Sequence, residues 1–169
     1  HLQDATPIAL SQEFSGYREL LIKSKKRLIA SHSTLKRLAQ GGTAVGTGIN
    51  THKKFGYLIA KEISTYTKLD FIESPNHFEA QSAQDSSVEL AGILKALAIS
   101  LSKIANDVRW LASGPRSGLG ELNIPSVQPG SSIMPGKVNP VICESMIQVC
   151  SQVIANDTAI NLGGLGSVF

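Results

Sequence analysis

The amino-acid sequence predicts an all-α fold, on three observations. Apolar residues recur at alternating spacings of three and four along extended stretches, as on the buried face of a helix. None of the seven prolines interrupts those stretches; they fall at a start or in the segments between. No segment shows the convincing alternation of apolar and polar residues that marks a half-buried strand.

The elements follow in order. A first helix is predicted over Pro7–Gln40, where Phe14, Tyr17, Leu21, Ser24, Leu28, Ser31, Leu35 and Leu38 form a heptad seam diluted by two serines. Gly41-Gly42 stops it, and Gly46 and Gly48 keep the following loop irregular. A shorter helix is predicted over Lys54–Thr67, ahead of a turn at Ser74-Pro75-Asn76. The third helix is the clearest: Leu90, Leu94, Leu97, Leu101, Ile104, Val108 and Leu111 repeat with a mean period of 3.5 residues, the pattern of a helix packed along its length at a shallow angle. Gly114-Pro115 closes it. A last helix is predicted to start at Pro140, in the N1 position that suits proline, with Asn139 as N-cap. Cys143, Met146, Ile147, Cys150, Val153 and Ile154 give that helix an apolar face.

At 169 residues the length allows one domain, and 42% hydrophobic with 17% charged residues excludes a disordered chain. No apolar run approaches the roughly 18 residues that span a bilayer, and no signal peptide opens the sequence. The chain begins with His1 and not Met, from which we expect a piece of a longer protein. Two cysteines fit a reducing compartment better than a disulfide scaffold. Net charge is only +3, and the cluster of Lys23, Lys25, Lys26, Arg27, Lys36 and Arg37 lacks interleaved aromatics, so it reads as a solvated helix face and not as a nucleic-acid surface. A helix of about 34 residues would reach about 50 Å, against roughly 40 Å for a compact globule of this size. Partner chains, further sequence, or both are therefore expected to complete the core.

Chemistry is expected between the third and fourth helices, over Gly118–Asn139. Four of the seven prolines fall in sixteen residues there, interleaved with Gly130 and Gly136, and long loops without regular structure are often functional. At its end, free amides of the following helix and the charge of Lys137 favour a carboxylate or phosphate. Glu144 lies one turn inside the same helix, near enough to partner a histidine, and Ser131 and Ser132 sit on a glycine-flanked stretch able to close over a ligand. Residue types alone leave open a proline-rich linker followed by a capped helix.

The stretch Gly130–Pro140, GSSIMPGKVNP, resembles the signature loop of the fumarase/aspartase superfamily. The resemblance extends over essentially the whole chain: HLQDATPIALSQ at 1–12, GGTAVGTGIN at 41–50, KIANDVRWLASG at 103–114 and the stretch 156–164 are similar to the central region of class II fumarate hydratases. His1, Gly136 and Cys143 stand where aspartases typically carry Gln, Ala and Pro, and Thr51-His52 and PNHFEA at 75–80 are also fumarase-like. The resemblance implies reversible hydration of fumarate to L-malate, with no metal or organic cofactor. It implies Ser131 as the base at carbon, His1 as the group handling the water proton, and Glu144 as the residue holding that histidine. It places Ser132, Lys137, Val138 and Asn139 at substrate-binding positions. It further implies a homotetramer whose active sites combine segments of three subunits. Residues 1–169 would be the central helical-bundle domain without the family's N- and C-terminal domains, hence inactive alone. The cytoplasm is the expected compartment, with the mitochondrial matrix as the alternative. The alternatives are an aspartate ammonia-lyase and a non-catalytic helical oligomerisation core.

Other residues read as structural. His32 is expected to be solvated, and His52 and His77 lie in loops without the partners a metal site needs. Cys143 and Cys150 share a helix face and are expected in the core. Asp85 with Glu89, and Asp107 with Arg109, read as polar groups of a bundle, Trp110 as packed near the end of the third helix, and Gly41–Gly48 as a helix-terminating loop.

Overall fold

A computed structural model describes residues 3–166. Among them are five helices and two strands of two residues each: α1 (Leu10–Leu35), β1 (Arg37–Leu38), α2 (Phe55–Thr67), β2 (Ile72–Glu73), α3 (His77–Ser82), α4 (Asp85–Leu111) and α5 (Val141–Leu165). The all-α class holds. No helix among the described residues is long and apolar enough to cross a membrane. The chain divides into two compact units, residues 1–25 with 94–155 and residues 26–93 with 156–169, and α1, α4 and α5 each contribute to both.

In the first unit the buried positions are Tyr17 and Ser24 on α1, Ala98 and Ala105 on α4, and Cys150 on α5. Tyr17 ties two helices together, its hydroxyl meeting Glu13 Oε1 at 2.8 Å and Asp107 Oδ2 at 2.9 Å. Lys103 bridges to Asp107 and lies 5.1 Å over the Tyr17 ring. Burial pushes the Tyr17 phenol well above its ordinary pKa, and the two carboxylates add to the shift. The Cys150 thiol, held against the Ser102 main chain, is raised by burial as well.

In the second unit Ser31, Ala91 and Asp157 are the buried positions on the same three helices. Thr34 Oγ1 meets Glu89 Oε2 at 3.2 Å, and Gly164 leaves so little room that a Cβ would approach Val88 to 2.9 Å. The two strands pair in parallel, Arg37 opposite Ile72 and Leu38 opposite Glu73, with Ile72 N–H on Lys36 O and Ser74 N–H on Leu38 O, both at 2.9 Å. The buried Ala60 anchors α2, and Lys68 in the left-handed region ends it.

Seven-residue spacing therefore governs the buried positions of these helices, most of which carry small side chains. Tyr17, Ser24 and Ser31 are seven apart, as are Ala91, Ala98 and Ala105, and Cys150 and Asp157. Ser24 at 1% and Ser31 at 3% exposure are among the most buried residues, each bonding its hydroxyl to a carbonyl of its own helix. The serines are thus the seam and do not dilute it. Most of the larger residues of the predicted stripes are only half-buried, and Phe14, Leu21 and Leu94 are exposed.

Several expectations need correction. The first helix ends at Leu35, because the Lys36 and Leu38 carbonyls accept from Ile72 and Ser74 N–H in the strand pairing. At 26 residues it extends about 39 Å, so length alone does not force it beyond a globule. The strands escaped prediction because two residues cannot show alternation. Helix α3 follows the expected turn and takes in His77, which was expected in a loop: Asn76 caps it, its Oδ1 accepting from Glu79 N–H at 3.1 Å. Helix α4 starts at Asp85, five residues before its leucine pattern. Trp110 is 55% exposed and not packed. Asp107, bonded to Tyr17 and Lys103, and Arg109, bonded to Asn106, are polar groups of the helices, as expected.

Candidate active site

The segment between α4 and α5 contains no helix or strand, and most of its residues are exposed. Its order comes from the main chain. Met134-Pro135-Gly136-Lys137 makes a turn closed by Lys137 N–H on Met134 O at 3.1 Å, with proline second and Gly136 third at φ 80, the arrangement of a type II turn. Glycine is required at the third position because that φ lies in the left-handed region. Ser131 N–H then donates to Lys137 O at 3.1 Å, closing the seven residues 131–137 into a ring. Ile133, at the far side of the ring, is 83% exposed.

A cavity of about 220 Å³ opens beside this ring, lined by Gln128, Pro129, Gly130, Ser131, Lys137 and Asn139. Three of the predicted residues, Ser131, Lys137 and Asn139, are thus brought to one place. Lys137 Nζ donates to Asn139 Oδ1 at 3.0 Å. That bond corrects the expected cap: the Asn139 carboxamide oxygen serves the ammonium group. Pro140 carries the first helical bond instead, its carbonyl accepting from Glu144 N–H at 3.1 Å, and α5 begins at Val141.

Ser132 and Val138 lie in the same segment but do not line the cavity, and Glu144 sits on the first turn of α5, half-buried. His1 lies outside the described residues. Sequence reasoning missed Gln128 and Pro129 as lining residues. The signal was faint, since a polar residue two before Gly130 has no distinctive spacing. Among the described residues no three His, Cys, Asp or Glu side chains converge as a metal site requires.

Chemically, the residues lining the cavity include an ammonium group, a carboxamide and a hydroxyl, those of Lys137, Asn139 and Ser131. Fixed donors and a positive charge of this kind suit an oxyanion, and more so one whose charge grows during reaction. The hydroxyl gives the site a group able to accept or release a proton.

Residues 1–155 match the family described as Lyase. The chain is 57% identical over 162 residues to a class II fumarate hydratase of Helicobacter pylori, covering 96% of this chain and 35% of that protein. It is 55% identical over 169 residues to a mitochondrial fumarate hydratase of Rhizopus oryzae, covering 100% of this chain and 34% of that one. The recombinant class II fumarase structure from Schistosoma mansoni superimposes with a TM-score of 0.94 at 34% identity, covering 99% of this chain and 38% of that chain. The chain therefore spans about a third of the length of the relatives it matches.

Proposed function

The chain belongs to the lyase family, and on that premise we propose that it is the central helical segment, residues 1–169, of a fumarate hydratase that interconverts fumarate and L-malate. The observation that carries the reading is the convergence of Ser131, Lys137 and Asn139 on one cavity. In the malate-to-fumarate direction, the difficulty is removing a proton from the carbon beside a carboxylate. The resulting carbanion is tolerable when its charge spreads onto that carboxylate as a doubly charged aci-carboxylate. Lys137 and Asn139 bind and neutralise this carboxylate, with the start of α5 adding positive dipole charge. Val138 and Ser132 complete the binding segment.

Ser131, as alkoxide, takes the proton from carbon. The pair left by the carbon–hydrogen bond is held on the aci-carboxylate, and it returns to form the new double bond when the carbon–oxygen bond breaks and the hydroxyl group leaves from the opposite face. His1 gives that hydroxyl the proton it needs to depart as water, and Glu144 holds the imidazole in the required tautomer. Run backwards, the same groups add water to fumarate. A serine hydroxyl is a weak base unless its alkoxide is stabilised, and Lys137 is the cation nearest in sequence to do so.

The full protein is proposed to be a homotetramer whose sites draw on three subunits, acting in the cytoplasm or the mitochondrial matrix. Exposed Phe14 and Leu21 on α1, Ile99 on α4, and Val149 and Leu162 on α5 support cover by further helices. The 169-residue chain is proposed to be inactive alone, because the resemblance implies sites built from segments of three subunits.

The test uses the full-length protein, following fumarate by ultraviolet absorbance. Ser131→Ala and Lys137→Ala should each lower kcat by about 10²-fold or more, with helicity and assembly unchanged. Full activity in both variants would refute the site. Deamination of L-aspartate without dehydration of L-malate would move the protein to the aspartate ammonia-lyases.

A further inference from the structure

Gly130 precedes the proposed base, and the space around it is filled by main chain. A Cβ at this position would lie 2.7 Å from the Lys137 carbonyl oxygen and 3.3 Å from the carbonyl carbon. The obstructing atoms belong to the backbone, so no side-chain rotation relieves the contact. Gly130 does not have a left-handed φ. Room, and not backbone freedom, is what requires glycine here.

The oxygen that a methyl group would strike is the one that accepts from Ser131 N–H. Lys137 in turn is fixed by the turn from Met134 and by its side-chain bond to Asn139. Gly130 therefore stands where the hydroxyl-bearing end of the ring meets its ammonium-bearing end. Opening that contact moves Ser131 against Lys137 and Asn139, while the latter two stay bonded to each other.

We propose that Gly130 is a positioning residue of the active site: its missing side chain lets the Lys137 carbonyl grip the Ser131 amide, which sets the Ser131 hydroxyl relative to Lys137 and Asn139. This rests on the reading of Ser131 as the base at carbon. Gly130 itself supplies no group to the reaction. Its effect falls on the proton transfer and not on carboxylate binding, because the binding pair remains joined when the grip opens.

The experiment is Gly130→Ala in the full-length enzyme, with kcat expressed per folded chain from circular dichroism and thermal unfolding of the same sample. Displacement of a reacting group by about 1 Å costs on the order of 10²-fold. We expect kcat to fall roughly 10- to 100-fold with KM for L-malate little changed. Gly163→Ala, where a Cβ meets nothing within 4 Å, should keep the parent kcat. Two results overturn the proposal: a Gly130→Ala kcat equal to that of the parent, or a loss carried by KM alone. Ser131→Ala run alongside separates the two readings. If Ser131→Ala is inactive while Gly130→Ala is unimpaired, the grip is wrong and the base assignment stands. If Ser131→Ala retains full activity, both fall.

Discussion

The seam of α1, α4 and α5 and the ring from Ser131 to Lys137 are ordered by contrasting means. In the seam, small side chains at seven-residue spacing are buried, and regular helix satisfies their main chain. In the ring, side chains such as Ile133 are exposed, and two backbone bonds with a glycine at each critical point impose the shape. A seam tolerates little change in volume. The ring tolerates volume at its rim, but little change in backbone path. Stability and chemistry thus depend on different kinds of residue in neighbouring segments.

The sharpest way to break this contrast is to enlarge the seam. Ala98→Leu puts a bulky side chain into the first unit's buried stripe, and overpacking of this sort costs roughly 1–3 kcal/mol. Urea unfolding should show the midpoint drop by a corresponding amount. An unchanged midpoint would mean that the alanine stripe is not the tight contact.

A smaller effect is expected at Tyr17. Tyr17→Phe removes the hydroxyl shared by Glu13 and Asp107, at a cost of about 1 kcal/mol. The sign of its pH dependence is fixed by the raised phenol. The folded state holds this proton more tightly than the unfolded state does. The stabilisation is therefore complete below the ordinary tyrosine pKa of about 10 and declines as pH rises past it. Unfolding free energies followed into alkaline solution should fall more steeply for the parent than for Tyr17→Phe. Parallel slopes would remove Tyr17 from the account.

The least effect belongs to the ring's rim. Ile133→Ser exchanges an 83% exposed side chain and should shift stability by no more than about 0.5 kcal/mol. A loss of 2 kcal/mol or more, roughly the value of a buried aliphatic side chain, would show that Ile133 is covered and that the contrast between seam and ring is overdrawn.

Much of this was legible in the sequence. The leucine period of α4 located that helix, and clustered proline and glycine located the ring, because both signals depend on local geometry. The seam was misassigned for a physical reason: hydropathy favours large residues, whereas burial between closely approaching helices favours small ones. Ser24 and Ser31 accordingly looked like interruptions. The cap at Asn139 was misread because Lys137, two residues away, competes for the same carboxamide oxygen, and spacing rules do not weigh such competition. Helix α3 is six residues long, too short for periodicity, although Asn76 followed by Glu79 was a usable start signal. The ring's closure depends on a carbonyl meeting an amide six positions back, which no composition reports.

The alanine stripe of α4 also bears on which residues its positions can accept. At Ala91, Ala98 or Ala105, glycine would loosen the helix by about 1 kcal/mol, and anything much larger would force the neighbouring helix away. Serine fits, since its hydroxyl can return to a carbonyl one turn back, as Ser24 does to Leu20. Each position thus has close to a two-letter alphabet. Along α4, the tightest restriction on sequence should recur every seven residues, at its smallest side chains.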